Sequence, residues 1–144
     1  MAVTNRSKLQ VKPFTINIPQ TALDDLQERL KRTRWPDEAP DSGWAMGTNL
    51  SYMKELADYW QKQYDWRKHE AELNQFHHFT ADVNGVNVHF IHERGKGPNP
   101  TPILLLHGWP DSFYRYHKVA RMLTDPASFG GDANQSFDVI VPSL

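Results

Sequence analysis

Residues 102–110 read PILLLHGWP, and the rest of the chain is best understood outward from them. The four large apolar residues at 103–106 favour a strand buried on both faces, as in a parallel sheet covered by helices, and we expect that strand to end at His107. Gly108 and Pro110 then predict a sharp turn, because glycine tolerates unusual dihedrals and proline fixes φ and lacks a donor. At the carboxyl end of a strand in an open α/β sheet, such a turn faces the crevice where ligands bind. We therefore expect a backbone N–H there to be presented to a reacting group.

The part of the chain before this stretch is mainly helical in pattern. Leucines 23, 26 and 30 recur at helical spacing, and a second amphipathic helix is predicted to run from Met53 to Tyr64, with Asn49 or Ser51 as its N-cap. Asp65 can cap a third helix over residues 66–73. Prolines and a glycine within residues 35–43 break regular structure between the first two helices.

Four of the five tryptophans belong to this helical part: Trp35, Trp44, Trp60 and Trp66. Large aromatic side chains are costly to leave in water. We expect all four to be mostly buried and to join the helical part to a sheet.

From Phe79 onward the pattern alternates, as in strands. Residues 79–83 and 86–93 flank Asn84 and Gly85, which favour a two-residue hairpin turn. After the strand at 103–106, Ser112 or Asp111 is placed to cap a helix, and a glycine-containing loop leads to a last strand over 137–141. This strand–helix–strand order predicts one right-handed crossover unit of a parallel sheet.

Composition excludes several classes of function. The chain has 144 residues, a hydrophobic content of 39% and a formal net charge of −1, so it has no electrostatic reason to bind nucleic acid or an anionic membrane. It contains no cysteine, which excludes disulfides and thiolate sites. Neither a signal peptide nor a membrane span is evident, so we expect a cytoplasmic protein.

Seven histidines invite a metal site. His77 and His78 are adjacent and point apart on a strand, and His89 and His92 also face opposite sides, so we expect no ligand pair to share a face and no metal. A nucleophile on a strand-to-helix elbow is also missing. Asp132 follows two glycines, but no strand leads into it, and we expect it to be a surface loop residue.

The sequence resembles the N-terminal domain and first sheet strands of microsomal-type epoxide hydrolases. The matching motifs, in order, are Pro13-Phe14, Ile18-Pro19, Thr33-Arg34-Trp35-Pro36, Gly43-Trp44, Tyr59-Trp60, Tyr64-Asp65-Trp66-Arg67, Leu73-Asn74, His78-Phe79, His89-Phe90-Ile91-His92, His107-Gly108-Trp109-Pro110 and Val141-Pro142-Ser143-Leu144. Two positions depart from the family pattern: His77 stands where proline is frequent, and Asp111 where glycine is frequent.

The resemblance implies an α/β fold in which an N-terminal helical meander (residues 1–76) precedes the incomplete start of an α/β-hydrolase sheet (residues 77–144). It also implies that the turn His107, Gly108, Trp109 and Pro110 forms an oxyanion hole. In that turn the Trp109 N–H is the donor, His107 orients the turn rather than moving a proton, and the bond before Pro110 is cis.

The implied reaction is hydrolysis of an epoxide to a vicinal diol through an aspartyl ester, without metal or cofactor. In the family the nucleophile, the lid tyrosines and the general base lie downstream of the positions matched here. Two hypotheses follow. The chain is the front part of an epoxide hydrolase, whose partners are a small epoxide and the remainder of the hydrolase domain. Alternatively, it is a truncated, inactive homologue that binds a partner. Under either hypothesis, we expect the isolated polypeptide to be inactive and marginally soluble.

Overall fold

The computed structural model describes residues 10–144. Its elements are, in chain order, β1 (Val11–Phe14), α1 (Gln20–Lys31), α2 (Leu50–Lys62), α3 (Trp66–Leu73), β2 (His78–Val83), β3 (Val86–Glu93), β4 (Thr101–Leu104), α4 (His117–Thr124) and β5 (Phe137–Pro142), with short 3₁₀ turns at Phe113–Tyr116, Pro126–Phe129 and Ala133–Gln135. They form two compact units: a helical unit, Asn17–Glu72, and a sheet unit, which combines residues 10–16 with Leu73–Leu144. The domain boundary expected between residues 76 and 77 stays a prediction.

Two of the three helices of the helical unit have the N-terminal caps that the sequence predicted. The Asn49 side chain accepts a hydrogen bond from the Tyr52 N–H at 3.0 Å and caps α2. The Asp65 carboxylate accepts from the Arg67 N–H at 2.9 Å at the start of α3. Each cap satisfies a backbone donor that the first turn of a helix leaves without an intrahelical partner.

Glu70 links α3 to the segment before α1. Its buried carboxylate accepts from the Ile18 N–H at 2.7 Å, pairs with Arg67 at 2.6 Å and accepts from the Trp66 indole N–H at 3.2 Å. The Ile18 N–H above all, together with the Arg67 and Trp66 donors, lowers the pKa of Glu70 despite its burial. A buried charge is tolerated here because donors surround it.

The helical unit buries its aromatic residues less than the sequence predicted. Trp44 is 62% exposed and Trp60 is 42% exposed, while Trp35 and Trp66 are half-buried. The expectation that all four are mostly buried is therefore wrong for this chain. Helices α1 and α2 have no fully buried residue, because three short helices enclose too little volume to cover such large side chains. Trp60 and Trp66 instead line an open apolar groove of about 800 Å³ between the helices.

The sheet unit is a five-stranded mixed sheet with the strand order β1-β2-β3-β5-β4. Strands β2 and β3 form the predicted hairpin, in which Asn84 (φ 55°) and Gly85 (φ 84°) supply the positive φ angles of a type I′ turn. Strands β4 and β5 pair in parallel and α4 lies between them in the chain, as the predicted crossover requires. The remaining neighbours pair antiparallel.

One core holds the sheet and α4 together. It consists of Phe76, Ile91, Ala120, Val139 and Val141. Val139 and Val141 are fully buried because β5 has a strand on each side and α4 on one face. Phe113 of the first 3₁₀ turn and Leu123 of α4 pack against this core.

Strand β4 is buried on one face only, which corrects the expectation of burial on both faces. Ile103 and Leu105 pack against the core, whereas Leu104 is 57% exposed and Leu106 is 54% exposed. Alternate side chains of a strand point to opposite faces, and within residues 10–144 no element covers the second face. The strand also ends at Leu104 rather than at His107, although the Leu105 N–H still donates to the Ile140 carbonyl at 2.9 Å.

Within the described part of the chain, no helix has both the length and the apolar character needed to cross a bilayer.

Candidate functional site

The residues after β4 form a tight turn at the carboxyl edge of the parallel strand pair. The Asp111 N–H donates to the Gly108 carbonyl at 2.8 Å, and the Trp109–Pro110 bond is cis, as predicted. With proline third of the four residues, this is the arrangement of a type VI turn. The turn faces the edge at which ligands bind in open α/β sheets.

Trp109 lies at the tip of the turn. Its side chain is 95% exposed. Its backbone N–H donates to no acceptor among residues 10–144, so this donor is not used in a strand ladder. An unpaired N–H at this position is what an oxyanion donor requires. That it points into a cavity stays a prediction.

Gly108 is not required by the local backbone. Its φ is not positive, and a Cβ built on it meets no atom within 4 Å. The expectation that glycine is needed here for unusual dihedrals is therefore wrong. The cis bond and the hydrogen bond of Asp111 define the turn instead.

His107 is buried beside the turn, with 8% of its surface exposed. Its Nε2 accepts a hydrogen bond from the Leu144 N–H at 3.2 Å, which connects the end of β4 to the backbone that leaves β5. Its Nδ1 is buried and has no hydrogen-bond partner within the described residues. Since Nε2 is occupied by a backbone donor, the contacts of His107 are those of a residue that orients backbone.

The side chains of Asp111 and Tyr116 bind the turn to the residues around it. The Asp111 carboxylate accepts from the Ser112 N–H at 2.8 Å and pairs with Arg115, and these donors lower the pKa of Asp111. The Tyr116 hydroxyl donates to the Leu106 carbonyl at 2.6 Å. Asp111, which departs from the family pattern, thus has a local structural role.

A histidine pair that the sequence reasoning missed lies in the same unit. His78 Nδ1 and His89 Nε2 are 2.9 Å apart, so the expectation that no two histidines share a face is wrong. That reasoning compared residues within one strand only. The register of the hairpin would have predicted the pair. Its turn pairs Thr80 with His89, and His78 lies on the same face as Thr80. The two histidines are therefore diagonal neighbours.

The remaining candidates give no metal or nucleophile site. Among residues 10–144, no group of three or more histidine and carboxylate side chains is arranged to hold a metal ion. Asp132 is exposed and accepts from the Asn134 N–H at 2.9 Å in a loop between two 3₁₀ turns. It is the surface loop residue that the sequence predicted.

Comparison with known proteins gives one consistent result. The family model described as "Epoxide hydrolase N terminus" matches residues 11–116. A putative epoxide hydrolase of Stigmatella aurantiaca is 45% identical over 134 residues, and epoxide hydrolase 1 of Oryctolagus cuniculus is 35% identical over 138 residues. Each match covers 93% of this chain, and this chain spans about 30% of each relative's length.

Solved structures agree with these matches. The juvenile hormone epoxide hydrolase of Bombyx mori superposes with a TM-score of 0.84 at 30% identity, over 99% of this chain and 38% of that protein. The epoxide hydrolase of Aspergillus niger superposes with a TM-score of 0.80 at 29% identity, over 94% of this chain and 35% of that protein.

Proposed function

The chain belongs to the epoxide hydrolase N-terminus family, and from this we propose that it supplies the oxyanion-hole turn of an enzyme that hydrolyses an epoxide to a vicinal diol. It corresponds to an N-terminal portion of an epoxide hydrolase-like protein with an α/β-hydrolase fold. The single observation that supports the proposal is the unpaired Trp109 N–H at the carboxyl edge of β4 and β5.

The proposed reaction has two steps. A carboxylate attacks one epoxide carbon, the C–O bond breaks, and the ring oxygen takes a proton, which leaves a hydroxy ester on the enzyme. A water molecule, deprotonated by a base, then adds to the ester carbonyl, and collapse of the tetrahedral intermediate releases the diol and regenerates the carboxylate. Negative charge develops on the former carbonyl oxygen, and the Trp109 N–H stabilises it there.

We assign the other reacting groups to the part of the relatives that this chain does not match. The carboxylate, the base and the acid that protonates the ring oxygen therefore belong to the remainder of the hydrolase domain, which is the proposed partner of this chain. Neither metal nor cofactor takes part in the steps above. We further propose a cytoplasmic location and no nucleic-acid partner, supported by the absence of cysteine and the net charge of −1.

A chimera tests the proposal. The matched segment of the Stigmatella aurantiaca putative epoxide hydrolase is replaced by this chain, and diol formation from styrene oxide is measured beside the unmodified relative. We expect the chimera to form diol, because identity is 45% over the exchanged segment. A chimera that folds, as judged by circular dichroism, yet forms no diol while the relative does would contradict the proposal. That result would favour a non-catalytic, partner-binding polypeptide instead.

A further inference from the structure

Four groups of the sheet unit form a continuous line of hydrogen bonds. His78 Nε2 lies 2.8 Å from the Leu73 carbonyl, His78 Nδ1 lies 2.9 Å from His89 Nε2, and His89 Nδ1 lies 2.7 Å from the Ser143 hydroxyl. We call Leu73, His78, His89 and Ser143 the relay. His78 is 3% exposed and His89 is half-buried.

The chemistry of the partners fixes the position of each proton. A carbonyl only accepts, so His78 carries its proton on Nε2, and in the neutral ring Nδ1 must accept. His89 then donates from Nε2, and its own Nδ1 accepts from the Ser143 hydroxyl. With both rings neutral, one arrangement satisfies every ring nitrogen, and in it each histidine carries its proton on Nε2.

Two further hydrogen bonds hold the backbone at the Ser143 end of the relay. The Ser143 N–H donates to the His89 carbonyl at 2.8 Å, so one serine is bound to one histidine through both its side chain and its main chain. The next residue, Leu144, donates to His107 Nε2 at 3.2 Å. His89 of β3 and the buried His107, which follows β4, thus bind two successive residues after β5.

We propose that His78 and His89 are positioning residues: as a hydrogen-bonded pair of rings they hold Ser143, and with His107 they fix the backbone leaving β5 beside the oxyanion turn. Neither ring needs to touch substrate. The consequence for catalysis rests on the function proposed above, whereas the relay itself does not. The two are therefore tested separately.

The surroundings of His89 disfavour its charged form. Phe14 of β1 and Phe113 of the first 3₁₀ turn pack edge-on against His89, and Phe113 also packs edge-on against His78. Burial, and next the neighbouring His78, lower the pKa of His89. If both rings were charged, the Nδ1–H of His78 would face the Nε2–H of His89, so that state would break the hydrogen bond between them.

Nitrogen chemical shifts of the imidazole rings in the ¹⁵N-labelled chain test the proposal without any substitution. At pH 7.5 we expect the neutral rings of His78 and His89 to carry their proton on Nε2, whereas the neutral ring of His77 should carry it on Nδ1, which lies 3.1 Å from a Glu93 carboxylate oxygen. If either ring of the pair carries its proton mainly on Nδ1 or averages between tautomers, the relay does not exist as proposed.

Substitution of Ser143 tests the positioning. With Ser143→Ala, amide exchange at residues 143 and 144 should speed up by about threefold to tenfold, the factor for one lost neutral hydrogen bond, because the ring no longer holds the side chain. Ser143→Thr keeps a hydroxyl and should restore slow exchange, and His77→Gln should change nothing. Exchange in Ser143→Ala equal to that of the unmodified chain would overturn the proposal.

The effect of the relay on catalysis is measured in the chimera. There Ser143→Ala should lower kcat more than it raises KM, and Ser143→Thr should recover most of the loss, because what is lost is alignment of the turn and not substrate contact. If the chimera is active and Ser143→Ala leaves kcat unchanged, the link from relay to turn is wrong. An inactive chimera counts against the proposed function alone, since the tautomers and the amide exchange decide the relay independently.

Discussion

Replacement by alanine should have opposite effects on stability at Gly108 and at Gly97. The sequence motif suggests that Gly108 is the sensitive position, whereas the structure indicates Gly97. Gly108 stands in the turn that resembles the family motif, yet a Cβ there meets nothing within 4 Å. Gly97 lies in the loop between β3 and β4, where a Cβ would come closer than 3.0 Å to the Ala133 carbonyl oxygen and the Ser136 hydroxyl. Gly97 also donates its N–H to that hydroxyl at 3.0 Å, and Ser136 is 2% exposed.

The magnitude follows from these contacts. Forcing a methyl group into a packed site costs roughly 1–3 kcal/mol. Replacing glycine by alanine also stiffens the unfolded chain, which returns about 0.4–1 kcal/mol where the native backbone is compatible. We therefore expect Gly97→Ala to lose about 1–2 kcal/mol of unfolding free energy net. Gly108→Ala, which meets no clash, should be neutral or stabilising by up to about 1 kcal/mol.

Thermal unfolding followed by circular dichroism measures both variants. For a chain of this length, each kcal/mol shifts Tm by roughly 2–4 °C. Gly97→Ala should therefore melt clearly below the unmodified chain and Gly108→Ala at or above it. The reasoning is refuted if Gly97→Ala melts with the unmodified chain, or if Gly108→Ala is the more damaging change.

Three further predictions concern the core, a buried carboxylate and acid stability. Val139→Ala should lower the unfolding free energy by roughly 2–3 kcal/mol in urea titrations, because it removes two buried methyl groups and leaves a cavity. Val86→Ala should have little effect, because Val86 is 63% exposed. Equal losses in the two variants would disprove the assigned core. Glu70→Gln should lower Tm more than Glu72→Gln at a half-exposed carboxylate, because an amide keeps one acceptor oxygen for the Ile18 and Trp66 N–H groups but has no charge to pair with Arg67; matching melts would show that the charge of Glu70 adds nothing. The lowered pKa of His89 means that the folded chain binds fewer protons than the unfolded one, so stability should be lost as the pH falls below the ordinary histidine pKa of about 6.5. His89→Gln should flatten that pH dependence, and an unchanged slope would assign it to other groups.

Features governed by neighbouring residues could be predicted from the sequence. The cap at Asn49 and the hairpin turn at Asn84 and Gly85 depend on a few residues each, and the structure has both. The cis bond before Pro110 followed from a resemblance rather than from residue chemistry.

Burial was harder to predict because it depends on what lies beside an element. The run at 103–106 is apolar enough for a strand covered on both faces, but its pattern does not reveal that β4 stands at an edge with Leu104 exposed. The same holds for Trp44, whose size favours burial but whose neighbours do not enclose it. The histidine pair needed one more step, the register of the hairpin, which the turn already fixed.

The central claim is that the Trp109 N–H stabilises the oxyanion, and replacing only that donor tests it most directly. In the chimera, the tryptophan α-hydroxy acid at position 109 converts the backbone amide to an ester, removing the N–H and keeping the side chain. Losing one such donor lowers kcat by about 10²–10³, whereas Trp109→Phe keeps the N–H and should lower kcat far less. A kcat for the ester variant equal to that of the unmodified chimera, with styrene oxide as substrate, would contradict the account.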